Sequence, residues 1–69
     1  MSAADDSITA AIKLSRPAQR ALAAARIVTF ADLTQWTRED IVKLHGIGPK
    51  SFVELDPGMK ARGLDYKAE

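Results

Sequence analysis

The stretch Leu44-His45-Gly46-Ile47-Gly48-Pro49-Lys50-Ser51 decides how this chain folds. Two glycines flank one isoleucine, and a proline, a lysine and a serine follow. Glycine accepts positive φ and lets another backbone come close. Proline favours the first position of a helix. The octapeptide therefore reads as a tight turn opening a helix from Pro49, with Ile47 tucked inward between the glycines. A β-branched side chain fits a positive-φ position badly, so Gly48→Val is expected to destabilise the domain.

Backbone N–H groups in such a turn, and at the helix start behind it, lack intrahelical partners. They form a small positive concavity suited to an anionic oxygen, and the helix dipole adds to it. Lys50 stands beside that concavity with a full charge, and Ser51 adds a hydroxyl. The chemistry implied is contact with one phosphate of a nucleic-acid backbone. A plain corner between two helices that binds nothing is the alternative.

Working upstream, Thr37-Arg38-Glu39-Asp40 caps a short helix through Leu44, with Ile41, Val42 and Leu44 as its apolar side. Thr29-Phe30-Ala31-Asp32 has the shape of a capping box and opens another short helix through Trp36. Phe30 and Leu33 face inward, and Trp36 ends the apolar stripe as a core residue. Ser15 caps the alanine-rich run Arg16–Arg26, with Pro17 in its first turn. Ala18, Leu22 and Ala25 define its core face, and Ile27 and Val28 are expected to be buried at its exit. Arg16 and Arg20 are i,i+4 neighbours on the opposite face. Asp5, Asp6 or Ser7 caps a short turn carrying Ile8 and Ile12.

Downstream, Phe52, Leu55 and Met59 recur at i, i+3 and i+7. Pro57-Gly58 interrupts them, because proline offers no N–H to the Val53 carbonyl and pushes Asp56 out of the α region. A kink or break is expected near Asp56, with Asp56 capping a second short helix. Gly63 terminates it with Leu64 as hydrophobic partner, and Tyr66 is expected to pack loosely. No stretch alternates with period two for long enough to make a strand. These signals define an all-α fold, a compact bundle of four to five short helices. Residues 1–11 form a flexible or partly helical segment, 12–65 the domain and 66–69 a tail.

At 69 residues, with twelve alanines, the chain has about twenty larger apolar side chains for a core. It has no cysteine, so neither a disulfide framework nor a thiolate zinc site is available. No apolar run approaches a membrane span and no signal pattern opens the chain, so a cytoplasmic protein is expected. The net charge is only +1. Between Asp6 and Asp32, however, there is no acidic residue, while Lys13, Arg16, Arg20 and Arg26 all fall there. A local basic face matters more than the total.

The order Leu-Ser-x-x-Ala-x-x-Ala-Leu, an exit Ile, Phe-x-Asp-Leu, Thr-x-x-Asp-Ile and Leu-x-Gly-Ile-Gly-x-Lys-Ser closely resembles the C-terminal domain of the bacterial RNA polymerase α subunit. The resemblance runs from about Ile12 to Leu64 and suggests a small stand-alone member. It implies a compact bundle containing a helix-hairpin-helix. It also implies that the start of the first main helix and the hairpin together meet the DNA minor groove and backbone. By position, the hairpin contacts fall on Gly46, Gly48, Lys50 and Ser51, and an acidic position used in activator contact falls on Glu54. The family's minor-groove arginine falls at Pro17 and its nearby asparagine at Arg20. Pro49 stands where the family often carries a basic residue.

The function expected is a small, weak, non-sequence-specific module for double-stranded DNA, related to transcription. Gly46 and Gly48 shape the turn, and Lys50 and Ser51 contact phosphate. Arg16 and Arg20, with Arg26, supply attraction or reach the groove. The alternative is a protein-interaction adaptor whose partner is RNA polymerase or a transcription factor. No enzyme is expected: His45 is the lone histidine, read as exposed or structural, and the chain is too short to enclose a flipped base. No catalytic residue, metal site, cofactor, small-molecule substrate or membrane partner is expected.

Overall fold

The computed structural model describes residues 3–68. Those residues form five short α-helices: α1 (Ile8–Ala11), α2 (Arg16–Ala24), α3 (Phe30–Leu33), α4 (Arg38–Val42) and α5 (Phe52–Ala61). Two 3-10 turns, Ala3–Asp5 and Pro49–Ser51, precede α1 and α5. The described residues contain no strand, only one antiparallel bridge between Ser7 and Thr29. The all-α bundle expected from the capping pattern is the fold observed.

Local hydrogen bonds explain where the helices start. Ser15 Oγ accepts from the Ala18 N–H at 3.3 Å, and Thr37 Oγ1 accepts from the Asp40 N–H at 3.0 Å. At α3 the capping box is complete: Asp32 N–H donates to Thr29 Oγ1, and Thr29 N–H donates to Asp32 Oδ2 at 3.0 Å. The same carboxylate accepts from the Val28 N–H at 2.8 Å. These backbone donors, Thr29's foremost, hold the Asp32 carboxyl below the usual carboxylate range. Both α3 and α4 stop short of their expected ends, at Leu33 and Val42.

α2 and α5 end alike. Ile27 N–H donates to the Leu22 carbonyl at 2.8 Å and Arg26 N–H to Ala23 at 3.0 Å. After α5, Leu64 N–H donates to Met59 at 2.9 Å and Gly63 N–H to Lys60 at 3.0 Å. Both are Schellman endings, whose middle residue adopts positive φ: +66° at Gly63 and +62° at Arg26. The turn at Arg26 sets up an extended exit. Ile27 goes inward, but Val28 points out and is 57% exposed, against the expectation that both are buried. Its backbone is held from both sides, by the Asp32 carboxylate and by the Ile8 N–H, which donates to its carbonyl at 3.0 Å.

The expected break at Asp56 does not occur. α5 runs continuously through Pro57. Phe52, Leu55, Gly58 and Met59 are all buried on one side, and only an unbroken helix keeps them on one face. Pro57 sits on the outer face, and Val53, whose carbonyl loses its helical donor, is 68% exposed. Water can therefore satisfy that carbonyl, which lowers the cost of the proline.

The core gathers Ile8, Ala18, Leu22, Phe30, Leu33, Ile41, Ile47, Phe52, Leu55 and Met59 from every helix and from the 44–51 turn. Trp36 is half-buried and packs against it. Gly58 allows a close approach of α5 to α3: a Cβ there would stand 2.8 Å from Phe30 Cε1. Arg62 lies over that ring, its guanidinium 4.0 Å from the ring centroid. It also donates to the Gly58 carbonyl at 3.0 Å and pairs with Asp6 at 3.1 Å. The N-terminal segment is thus tied to the last helix.

Candidate nucleic-acid interface

The 44–51 turn is built by short-range bonds. Leu44 N–H donates to Ile41 and Ile47 N–H to Leu44, at 3.1 and 3.0 Å. Ile47 is buried, as the glycine spacing implies. Gly46 has φ +102°, and a Cβ there would lie 2.4 Å from the Pro17 carbonyl oxygen and 3.4 Å from Ala21 Cβ. The turn therefore lies directly on the first two turns of α2.

Gly48 behaves otherwise. Its φ is −130°, extended backbone open to any residue, and a Cβ would meet nothing within 4 Å. The expectation that Gly48→Val destabilises the domain is overturned: the required glycine of the pair is Gly46. An extended conformation is also what Pro49 imposes on the residue before it.

The seat of Gly46 on Pro17 and Ala21 brings two separate parts of the chain together. Ala18, Ala21 and Leu22 face the core. At about 100° per residue, Arg16 and Arg20 then lie on the outer face of α2, the helix on which the turn rests. Both are exposed, and so is Lys50. Three ion pairs occur among the described residues, and they engage Arg38, Lys43 and Arg62. Arg16, Arg20 and Lys50 take part in none of them. Gly48 N–H donates to Ser51 Oγ at 3.4 Å, which leaves the Ser51 hydroxyl proton free for an outside acceptor. Glu54 is exposed in the first turn of α5, and His45 is exposed in the turn.

Behind the turn lies a group that sequence reading missed. Arg38 stacks over the Phe52 ring at 4.5 Å and pairs with Asp56 at 2.8 Å. The Tyr66 hydroxyl donates to the other Asp56 oxygen at 2.7 Å, and its ring meets Phe52 edge-on at 5.8 Å. Lys67 N–H donates to the Trp36 carbonyl at 2.9 Å. Tyr66, expected to pack loosely, instead fixes the first residue of α5. One signal was available in the sequence: Arg38 opens a helix, where a cation opposes the dipole, so a specific partner was needed.

Burial, and then the bond to Asp56, raises the Tyr66 pKa. A raised folded pKa means that the unfolded chain loses its proton first. The stabilisation is fully present below the ordinary value near 10 and is lost as pH rises above it. Tyr66 is the sole tyrosine, so ultraviolet titration reads it directly. Its ionisation in the native protein is expected well above 10, and Tyr66→Phe should flatten the fall of stability with pH in that range. Ionisation near 10 in the folded protein would contradict the Asp56 bond.

Comparison with known proteins gives a relative for this chain. The chain is 34% identical over 58 residues to a DNA-directed RNA polymerase subunit alpha of Ostreococcus tauri. The match covers 84% of this chain and 16% of that subunit. It supports a relationship to the RNA polymerase α subunit. No family model matches the chain.

Proposed function

We propose that this domain is a transcription-related module that binds double-stranded DNA weakly, through a helix-hairpin-helix formed by α4, the 44–51 turn and α5. The observation that carries the reading is the contact of Gly46 with Pro17 and Ala21. It joins the turn that carries Lys50 and Ser51 to the helix that carries Arg16 and Arg20, none of the three cations being drawn off by an ion pair among the described residues. Lys50 and Ser51 contact phosphate, and the two arginines reach the backbone or the minor groove. Gly46 acts by seating the turn and Gly48 by exposing its backbone. The relationship to an RNA polymerase subunit supports the transcriptional setting. With so few phosphate contacts, Kd is expected at about 10⁻⁴–10⁻⁶ M at physiological salt.

The test is an amide-shift titration of isotopically labelled protein with a short A·T-rich duplex at two salt concentrations. Shifts at 46–51 and at Arg16–Arg20 that fade as salt rises are the expected result. Lys50→Ala should weaken binding about threefold to tenfold and reduce the salt slope by about one, with an unchanged melting temperature. Equal affinity for wild type and variant would remove Lys50 from the interface.

A second reading, a protein-interaction adaptor, draws on Val53, a large apolar side chain left exposed next to Glu54. Absence of any duplex-induced shift at low salt would favour it, with RNA polymerase or a transcription factor as the partner to try.

A further inference from the structure

We infer that Arg26 is an additional phosphate contact at the far end of α2, an inference that rests on the DNA-binding reading above. Among the described residues Arg26 is the one non-glycine at positive φ. The hydrogen bonds that end α2 impose this conformation. Glycine carries no Cβ penalty at that position, and after α5 the same ending is occupied by Gly63. The same fold thus ends one helix on glycine and the other on arginine. The arginine carries backbone strain that glycine would remove, and such strain points to a use for the side chain.

Nothing within the described protein uses it. Arg26 is exposed, and its guanidinium enters none of the side-chain hydrogen bonds, ion pairs or ring contacts of the structure. Arg38 and Arg62, by contrast, are each held by a carboxylate and an aromatic ring. Attraction to the helix C-terminus does not explain the placement. A cation at exposed Ala23 or Ala24 would meet the same dipole without leaving helical φ.

Position supports an external acceptor. Arg16, Arg20 and Arg26 follow one another over α2 and its ending with no acidic residue among them. Arg26 stands just past Ala24, the last residue of α2, where the chain turns out of the helix. In this assignment Arg26 holds a further phosphate of the same duplex that Lys50, Arg16 and Arg20 hold.

The experiment compares wild type, Arg26→Gly and Arg26→Lys by thermal melting and by fluorescence anisotropy on a labelled A·T-rich duplex at several salt concentrations. Arg26→Gly is expected to melt about 3–6 °C higher. Its affinity should fall about threefold to tenfold, with a salt slope smaller by about one. Arg26→Lys should keep the wild-type affinity and slope. Unchanged affinity and slope in Arg26→Gly, with wild type binding normally, would overturn this inference alone, and a lower melting temperature would overturn its premise of strain. No binding by wild type would overturn the DNA-binding reading as well.

Discussion

Gly46→Ala should unfold a large fraction of the domain at ambient temperature, whereas Gly48→Ala should leave it folded. The two positions sit two residues apart in the same turn and differ in what surrounds them. At Gly46 a methyl group would meet a backbone oxygen at 2.4 Å while φ stays at +102°. Neither can relax cheaply, because the oxygen belongs to Pro17, within the first turn of α2. Left-handed strain alone costs about 1–2 kcal/mol, and separating the turn from α2 also uncovers Ile47 and Ala21. A loss of roughly 3 kcal/mol or more is expected, against a total of about 3–5 kcal/mol for a core of this size. Circular dichroism melting should show a drop of more than about 15 °C. At Gly48 the change should stay within about 3 °C. Equal melting of both variants would mean that the turn does not rest on α2.

Arg62→Ala should be the second most damaging of these changes. The side chain is 17% exposed and does three jobs at once. It covers the face of the fully buried Phe30, donates to the Gly58 carbonyl and pairs with Asp6. A partly desolvated cation–π contact, one hydrogen bond and a half-exposed ion pair together amount to about 2–3 kcal/mol. Arg62→Lys should recover only part of this, because an ammonium cannot both stack and fork. Urea unfolding reads the loss directly. Amide exchange at Ile8, whose N–H donates to Val28, should accelerate in the alanine variant. A variant as stable as wild type would show that the N-terminal segment is held without Arg62.

These two residues also mark where sequence reading stops. Caps are local, and Ser15, Thr29 with Asp32, Thr37 and Gly63 all serve as their neighbours suggest. The stripe of Phe52, Leu55 and Met59 and the inward Ile47 were equally legible. Two other features were not, because tertiary packing overrides local preference at Pro57 and a hydrogen-bonded ending forces Arg26 to positive φ. The contacts of Arg38 with Asp56 and of Arg62 with Asp6 span 18 and 56 residues. No local pattern encodes such pairs. For the candidate interface, the sequence named the cations and both glycines. It could not say that Gly46 alone is sterically required, nor that the turn rests on α2.

The junction of Asp6, Phe30, Gly58 and Arg62 bears on how the chain acquires its fold during synthesis. Ile8 and Phe30 are wholly buried, yet Gly58 and Arg62, which lie against the Phe30 ring, are made some fifty residues after Ile8. Short helices can form within microseconds of leaving the ribosome, but the closure that joins position 6 to position 62 spans almost the whole chain. Its loop entropy must be met before the contact returns anything. The capped helices α2 to α4 are therefore expected to wait as a loose, half-built assembly until α5 emerges. Folding then completes in a single late step rather than progressively from the N-terminus.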